Sequence, residues 1–135
     1  MASAWPFADF IGIADAYESG DRIEFAWQWR RAYDMYGLGE FVEAAMEVPR
    51  LRRMYPFTSL SWMSFRPTAD EYRVPGPWVR SVGDGWFTVN ADQRVKPELT
   101  YDADAAVRVC VAEMNRLGVP SPEELRDARL RTGRS

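Results

Sequence analysis

The hydrophobic and polar positions divide the chain into a helical front, a strand-bearing middle and a helical end. Trp5, Phe7, Phe10, Ile11, Ile13 and Tyr17 recur at helical spacing, which predicts a short amphipathic helix with Gly12 as its weak point. Ser19-Gly20-Asp21 stops it and caps a second helix, expected from Arg22 to Tyr36 and ended by Gly37. On that helix Phe25, Ala26, Trp29, Ala32, Tyr33 and Tyr36 share one face. Ile23 and Trp27 fall on the opposite, charged face beside Arg30 and Asp34. Aromatic residues on two sides imply packing on two sides, by the domain itself or by a second subunit. The expectation is a homodimer through Ile23 and Trp27.

Gly37-Leu38-Gly39 breaks the chain, and a third helix is expected from about Glu40 to Met46. Pro49 suits the first position of a further short turn reaching Met54, and Tyr55-Pro56 ends the helical half. In Ser59 to Arg66, Leu60, Trp62 and Ser64 alternate with Ser61, Met63 and Phe65, as in a strand. Residues 67–77 read as a Pro-rich loop. The clearest signal follows: Trp78 to Val82 and Trp86 to Asn90 flank Gly83-Asp84-Gly85, and Asp-Gly marks a two-residue hairpin. A regular turn there pairs Val82 with Phe87 and Arg80 with Val89, leaving Ser81, Trp86 and Thr88 on the other face.

Glu98 to Tyr101 is expected as a last strand. Asp102 or Asp104 then caps a helix to Leu117 with a stripe of Val107, Cys110, Val111, Met114 and Leu117, ended by Gly118 and Pro120. Ser121-Pro122-Glu123-Glu124 is a capping box for a final polar helix to about Arg131. The order of elements is α+β: N-terminal helices, a small antiparallel sheet with a central hairpin, and C-terminal helices. One domain spans 1–135, with 1–36 as a helical, dimer-forming extension, 37–131 as the body and 132–135 as a tail.

Composition narrows the chemistry. The 135 residues include no histidine and one cysteine. That excludes Ser-His-Asp and Cys-His catalysis, a His/Cys zinc site and an internal disulfide. The net charge of −3 speaks against nucleic-acid binding. It is uneven: residues 1–48 carry nine acids and three bases, a net −6, and residues 49–135 a net +3. An acidic front can therefore dock on a basic body. No basic residue precedes Arg22 and no apolar run nears the roughly 18 residues that span a bilayer, so the expectation is a cytoplasmic protein without a membrane partner.

Other candidate groups have bland readings. Cys110 lies on an apolar stripe, where a thiol is inert. Lys96, the single lysine, sits in a loop-like stretch. Gly37-Leu38-Gly39 precedes Glu40 and Glu43, which oppose phosphate. Asp102, Asp104, Glu123 and Glu124 stand at helix starts, where acids suit the dipole without a metal. No cofactor or metal is expected.

A cluster of arginines and aromatics remains. Arg50, Arg52 and Arg53 precede Tyr55 and Phe57, and Arg66 and Arg80 follow in the strands beside Trp62, Trp78 and Trp86. Where the Tyr55-Pro56-Phe57-Thr58-Ser59 turn meets the strands, Arg53, Arg66 and Arg80 can converge on a carboxylate. Tyr55, Phe57, Trp62 and Trp86 supply apolar contact. These seven are the expected peptide-binding residues, with Arg66→Ala and Arg80→Ala leaving stability nearly intact. The alternative is that Tyr55, Phe57 and Trp62 are core.

The run Pro49-Arg50-Leu51-Arg52-Arg53-Met54-Tyr55-Pro56-Phe57-Thr58-Ser59, followed by Met63-Ser64-Phe65 and by Gly83-Asp84-Gly85-Trp86-Phe87-Thr88-Val89, resembles an actinobacterial family of small natural-product biosynthesis proteins. The likeness covers about Phe41 to Met114. The chain is also similar to the lysinoalanine-forming proteins of the duramycin and cinnamycin lanthipeptide pathways. That resemblance implies a homodimer without cofactor that binds a ribosomal precursor peptide. It implies orienting a peptide lysine amine for attack on a dehydroalanine, with the peptide's own hydroxylated aspartate as base. The resemblance assigns no catalytic residue to this chain. The alternative is a non-catalytic interaction module, an immunity-type protein or a pathway chaperone.

Overall fold

The computed structural model describes residues 22–32, 35–59, 61–67, 76–91 and 99–131. Helix α1 (Arg22–Ala32) is followed by a 3-10 turn (Met35–Gly37), α2 (Gly39–Met46) and the single turn α3 (Pro49–Arg52). Four strands come next: β1 (Tyr55–Ser59), β2 (Trp62–Arg66), β3 (Trp78–Gly83) and β4 (Trp86–Asn90). Helices α4 (Ala103–Leu117) and α5 (Pro122–Arg131) end the chain. This is the α+β order expected. The expected helix from Trp5 to Tyr17, most of the loop at 67–77 and the tail lie outside the described residues.

The strands form one antiparallel sheet in chain order, β1-β2-β3-β4. One face carries Pro56, Met63, Phe65, Val79 and Phe87, and the helices cover it. α1 lies over β1, while α2 packs on α4 and α4 on β4. The core is aromatic at its centre. Phe41 of α2 meets Phe65 and Phe87 at ring separations of 6.2 and 5.9 Å, and Trp27 stacks on Phe65 at 5.9 Å.

The segment Tyr55-Pro56-Phe57-Thr58-Ser59 is a strand, not a turn. Tyr55 pairs with Arg66 and Ser59 with Trp62 around a tight connection. Pro56 has no N–H to give, which an edge strand tolerates. In the β3–β4 hairpin the Asp84-Gly85 turn forms as expected, with φ of 55° and 78°. The register differs by one residue. Ser81 pairs with Phe87 and Gly83 with Trp86, so Val82 is the extra residue of a β-bulge. Arg80 accordingly pairs with Thr88, and Val89 faces Val79.

The expected strand ending at Tyr101 shrinks to one bridge. Tyr101 and Phe87 exchange two backbone hydrogen bonds of 2.7 Å, and the next residue is already the N-cap of α4. Asp102 is that helix's N-cap, accepting from the Ala105 N–H at 2.8 Å, and Gly118 ends it in the left-handed conformation. The capping box of α5 also forms: the Glu124 N–H donates to Ser121 Oγ, and the Ser121 N–H donates to the Glu124 carboxylate.

Helix α1 corrects the expectation most. It ends at Ala32, and Tyr36 stands in the 3-10 turn. Trp27 is not on an outer face: it is 0% exposed and lies in the chain's own core, with Ile23 packed against that core. Its indole N–H donates to the Met54 carbonyl at 2.9 Å. Arg52 lies 5.6 Å over the same ring and is held by Glu24 at 2.5 Å, while Gln28 donates to the other Glu24 oxygen at 2.6 Å. Arg52, Glu24 and Gln28 thus seal the face on which Trp27 lies. Trp27, taken up by the chain's own core, is not available to form the expected dimer.

Candidate functional site

Alternation along the strands puts Tyr55, Phe57, Trp62, Ser64, Arg66, Trp78, Arg80, Trp86, Thr88 and Asn90 on the face of the sheet turned from the helices. Six of the seven expected residues are among them. The seventh, Arg53, stands before β1 at the exposed end of α3, outside the strand ladder. Trp78 belongs to this face and was not in the expected set. Its ring meets Phe57 edge-on at 6.0 Å.

The arginines do not converge. Arg66 lies beside Tyr55 at one end of β2, and Arg80 lies beside Trp62 at the other. The four-residue offset along β2 separates them by about 13 Å at ~3.3 Å per residue. Each is laid on its own ring. The Arg66 guanidinium sits 3.4 Å over Phe57, and that of Arg80 sits 4.9 Å over Trp62. Stacking of this kind holds a guanidinium flat and leaves its N–H edge to a planar acceptor.

The two pairs differ in exposure. Arg66 is 8% exposed, with Ser64 and Thr88 also buried, and the Ser64 hydroxyl donates to the Pro77 carbonyl at 2.6 Å. Arg66 thus has a packing role, and the expectation that Arg66→Ala leaves stability intact does not fit its surroundings. Arg80, Trp62, Phe57 and Trp78 are half-buried, and Trp86 is exposed. Among the described residues, the buried Nε of Arg80 has no hydrogen-bond partner, and no carboxylate pairs with this side chain. A buried donor left unmatched is a standing cost, and an arriving acceptor removes it.

A further arginine, Arg30, is half-buried between α1 and β1. It donates to Thr58 Oγ1 at 2.9 Å and to the Ala26 carbonyl at 3.1 Å, and burial lowers its pKa. Cys110 is fully buried, and its thiol pKa is raised by that burial and then by Glu113. Among the described residues, no group of three or more potential metal ligands comes together. No helix there is long and apolar enough to cross a membrane.

The molecule is therefore an α+β domain whose single sheet is helix-covered on one face and bears stacked arginines on the other. The chain belongs to the family of unknown function DUF6193, whose model matches residues 21–119. No curated protein matches it, and no solved structure does.

Proposed function

We propose that the face turned from the helices binds an extended peptide bearing a carboxylate, with Arg80 as its anchor. The observation that carries this reading is the Arg80 guanidinium, stacked on Trp62 with a buried Nε lacking an acceptor among the described residues. The run from Arg80 to the Phe57–Trp78 pair offers a track about 7 Å long at ~3.3 Å per residue, matching about two residues of extended chain. Aromatic rings along it give contact area at little entropy cost.

This is the interaction-module reading. The crosslinking chemistry rests on the chain's similarity to lysinoalanine-forming proteins, and it adds one step to the same site. A bound peptide's lysine nitrogen would bond to the β-carbon of a dehydroalanine, and a proton would pass from nitrogen to the α-carbon. Alignment alone lowers such a barrier by several kcal/mol.

The test uses fluorescein-labelled Gly-Val-Asp-Val-Gly and its Asn counterpart in an anisotropy titration. The Asp peptide is expected to bind at least tenfold more tightly, a difference of about 1.4 kcal/mol. Arg80→Met keeps the apolar stem on Trp62 and should abolish that preference with the melting temperature unchanged or higher. Equal binding of the two peptides sinks the reading. The crosslinking step has its own readout: a dehydroalanine peptide that stays fully thiol-reactive after incubation removes it and leaves binding.

A further inference from the structure

A second half-buried arginine lacks a counter-charge. Arg30 stands on α1, on the covered side of the sheet, and its guanidinium donates to Thr58 Oγ1 of β1 at 2.9 Å and to the Ala26 carbonyl at 3.1 Å. Its Nε is buried without an acceptor among the described residues, and no carboxylate there pairs with the side chain. Burial works against the cation, with the Tyr55 phenol acting the other way. A cation held like this gains from an arriving anion, which offsets the desolvation already incurred.

The backbone beside it is also unmatched. Partners in an antiparallel ladder alternate between hydrogen-bonded and open pairs. Ser59 and Trp62 close the β1–β2 hairpin as a bonded pair, and Pro56, with no N–H to give, sits opposite Phe65 in an open one. Thr58, two residues beyond Pro56, is therefore in an open pair, and its N–H and C=O point away from β2. β1 is the first strand of the sheet, so they point to a free edge, and no backbone group meets them among the described residues. The Thr58 hydroxyl accepts from Arg30 and still has its own hydrogen to give.

We propose that Arg30 and Thr58 form a phosphate-binding site at this edge. The guanidinium, the hydroxyl and the backbone N–H are three donors gathered around one residue, and they come from different directions: from α1, from a side chain and along the sheet. A planar carboxylate is served by two coplanar donors, whereas a tetrahedral oxyanion can accept from three that diverge. The ligand is a phosphate group, free or carried on a phosphorylated side chain. The site lies across the sheet from the Arg80 track and does not depend on it.

The experiment follows the backbone amides by NMR during titration with sodium phosphate at pH 7, against sodium acetate of equal ionic strength. The Thr58 amide resonance should shift and saturate with phosphate, and acetate should bind about tenfold more weakly or not at all. Arg30→Met keeps the apolar stem and should weaken phosphate binding about tenfold or more. Thr58→Val, which keeps a strand-forming side chain without the hydroxyl, should weaken it too. Arg80→Met should leave it unchanged. A peptide with one phosphoserine that binds more tightly than inorganic phosphate assigns the site to phosphorylated chains, and equal affinity assigns it to the free ion. A Thr58 amide that phosphate does not move, acetate binding as tightly as phosphate, or normal phosphate binding by Arg30→Met overturns the proposal. Should Arg30→Met fail to fold, normal binding by Thr58→Val overturns it equally.

Discussion

Replacing Trp27 tests the packing of the whole domain. The indole is fully buried, stacks on Phe65, lies under the Arg52 guanidinium and donates to the Met54 carbonyl. Trp27→Ala removes the ring from a core that cannot refill the space, at about 3–5 kcal/mol. It also leaves the Met54 carbonyl without its donor, at about 1–3 kcal/mol. A domain of this size holds roughly 5–15 kcal/mol in all, so the variant should sit at or near the edge of folding. Trp27→Phe keeps most of the packing and loses the N–H, and should cost about 2 kcal/mol. Urea denaturation followed by circular dichroism measures both. The midpoint should fall in the order parent, Phe, Ala, with Phe retaining a cooperative transition of unchanged slope. If Trp27→Ala unfolds at the parent midpoint, the ring is not in the core and the assignment of this helix face is wrong.

Acid should weaken the Glu24 cluster. Burial pushes the Glu24 pKa up, but hydrogen bonds from Gln28 and Arg52 outweigh it, so the folded value lies below the ordinary 4.5. The stability it contributes is full above that ordinary value and is lost as pH falls through the folded one. Glu24→Gln should thus flatten the fall in melting temperature on acidification, and an unchanged pH profile would remove Glu24 from the account. Cys110 should be silent towards a disulfide thiol reagent at pH 8 in native protein and react fully in denaturant, because burial keeps the thiol protonated. Rapid native labelling would show that the α4 stripe opens.

The parts that were legible in the sequence are those fixed by neighbours in the chain. The Asp84-Gly85 turn, Pro49 at a helix start, the Ser121–Glu124 box and Gly118 after α4 each act within a few residues. Alternation with a regular turn set Arg80 on the face opposite Trp86 and Thr88, and only the observed register brings the three to one face. Other features needed the third dimension. The register of β1 on β2 and of β2 on β3 sets Arg66 and Arg80 apart, and no single strand contains that information. The bulge at Val82 adds a residue that a regular two-residue hairpin does not anticipate. Trp27 misled because its neighbour Arg30 looks like a wet surface, yet Arg30 donates to Thr58 and the Arg52–Glu24 pair covers the indole, both through residues far along the chain. Arg66 was expected to grip a carboxylate and to be replaceable without loss of stability, because its stacking on Phe57 depends on the register of β1 on β2.

The meander order of the strands bears on how the molecule reaches this state. Every strand pairs with the one beside it in sequence, so each ladder closes over a short stretch of chain. Short closures cost little entropy and form quickly. The contacts that span long separations are different in kind: Trp27 reaching Met54 and Phe65, and Arg50 donating to the Val119 carbonyl at 3.0 Å. They join segments that the sheet alone leaves untethered. The strand pairings are local, and the contacts of the first helix and of the segment after the fourth are what tie distant parts of the chain into one structure.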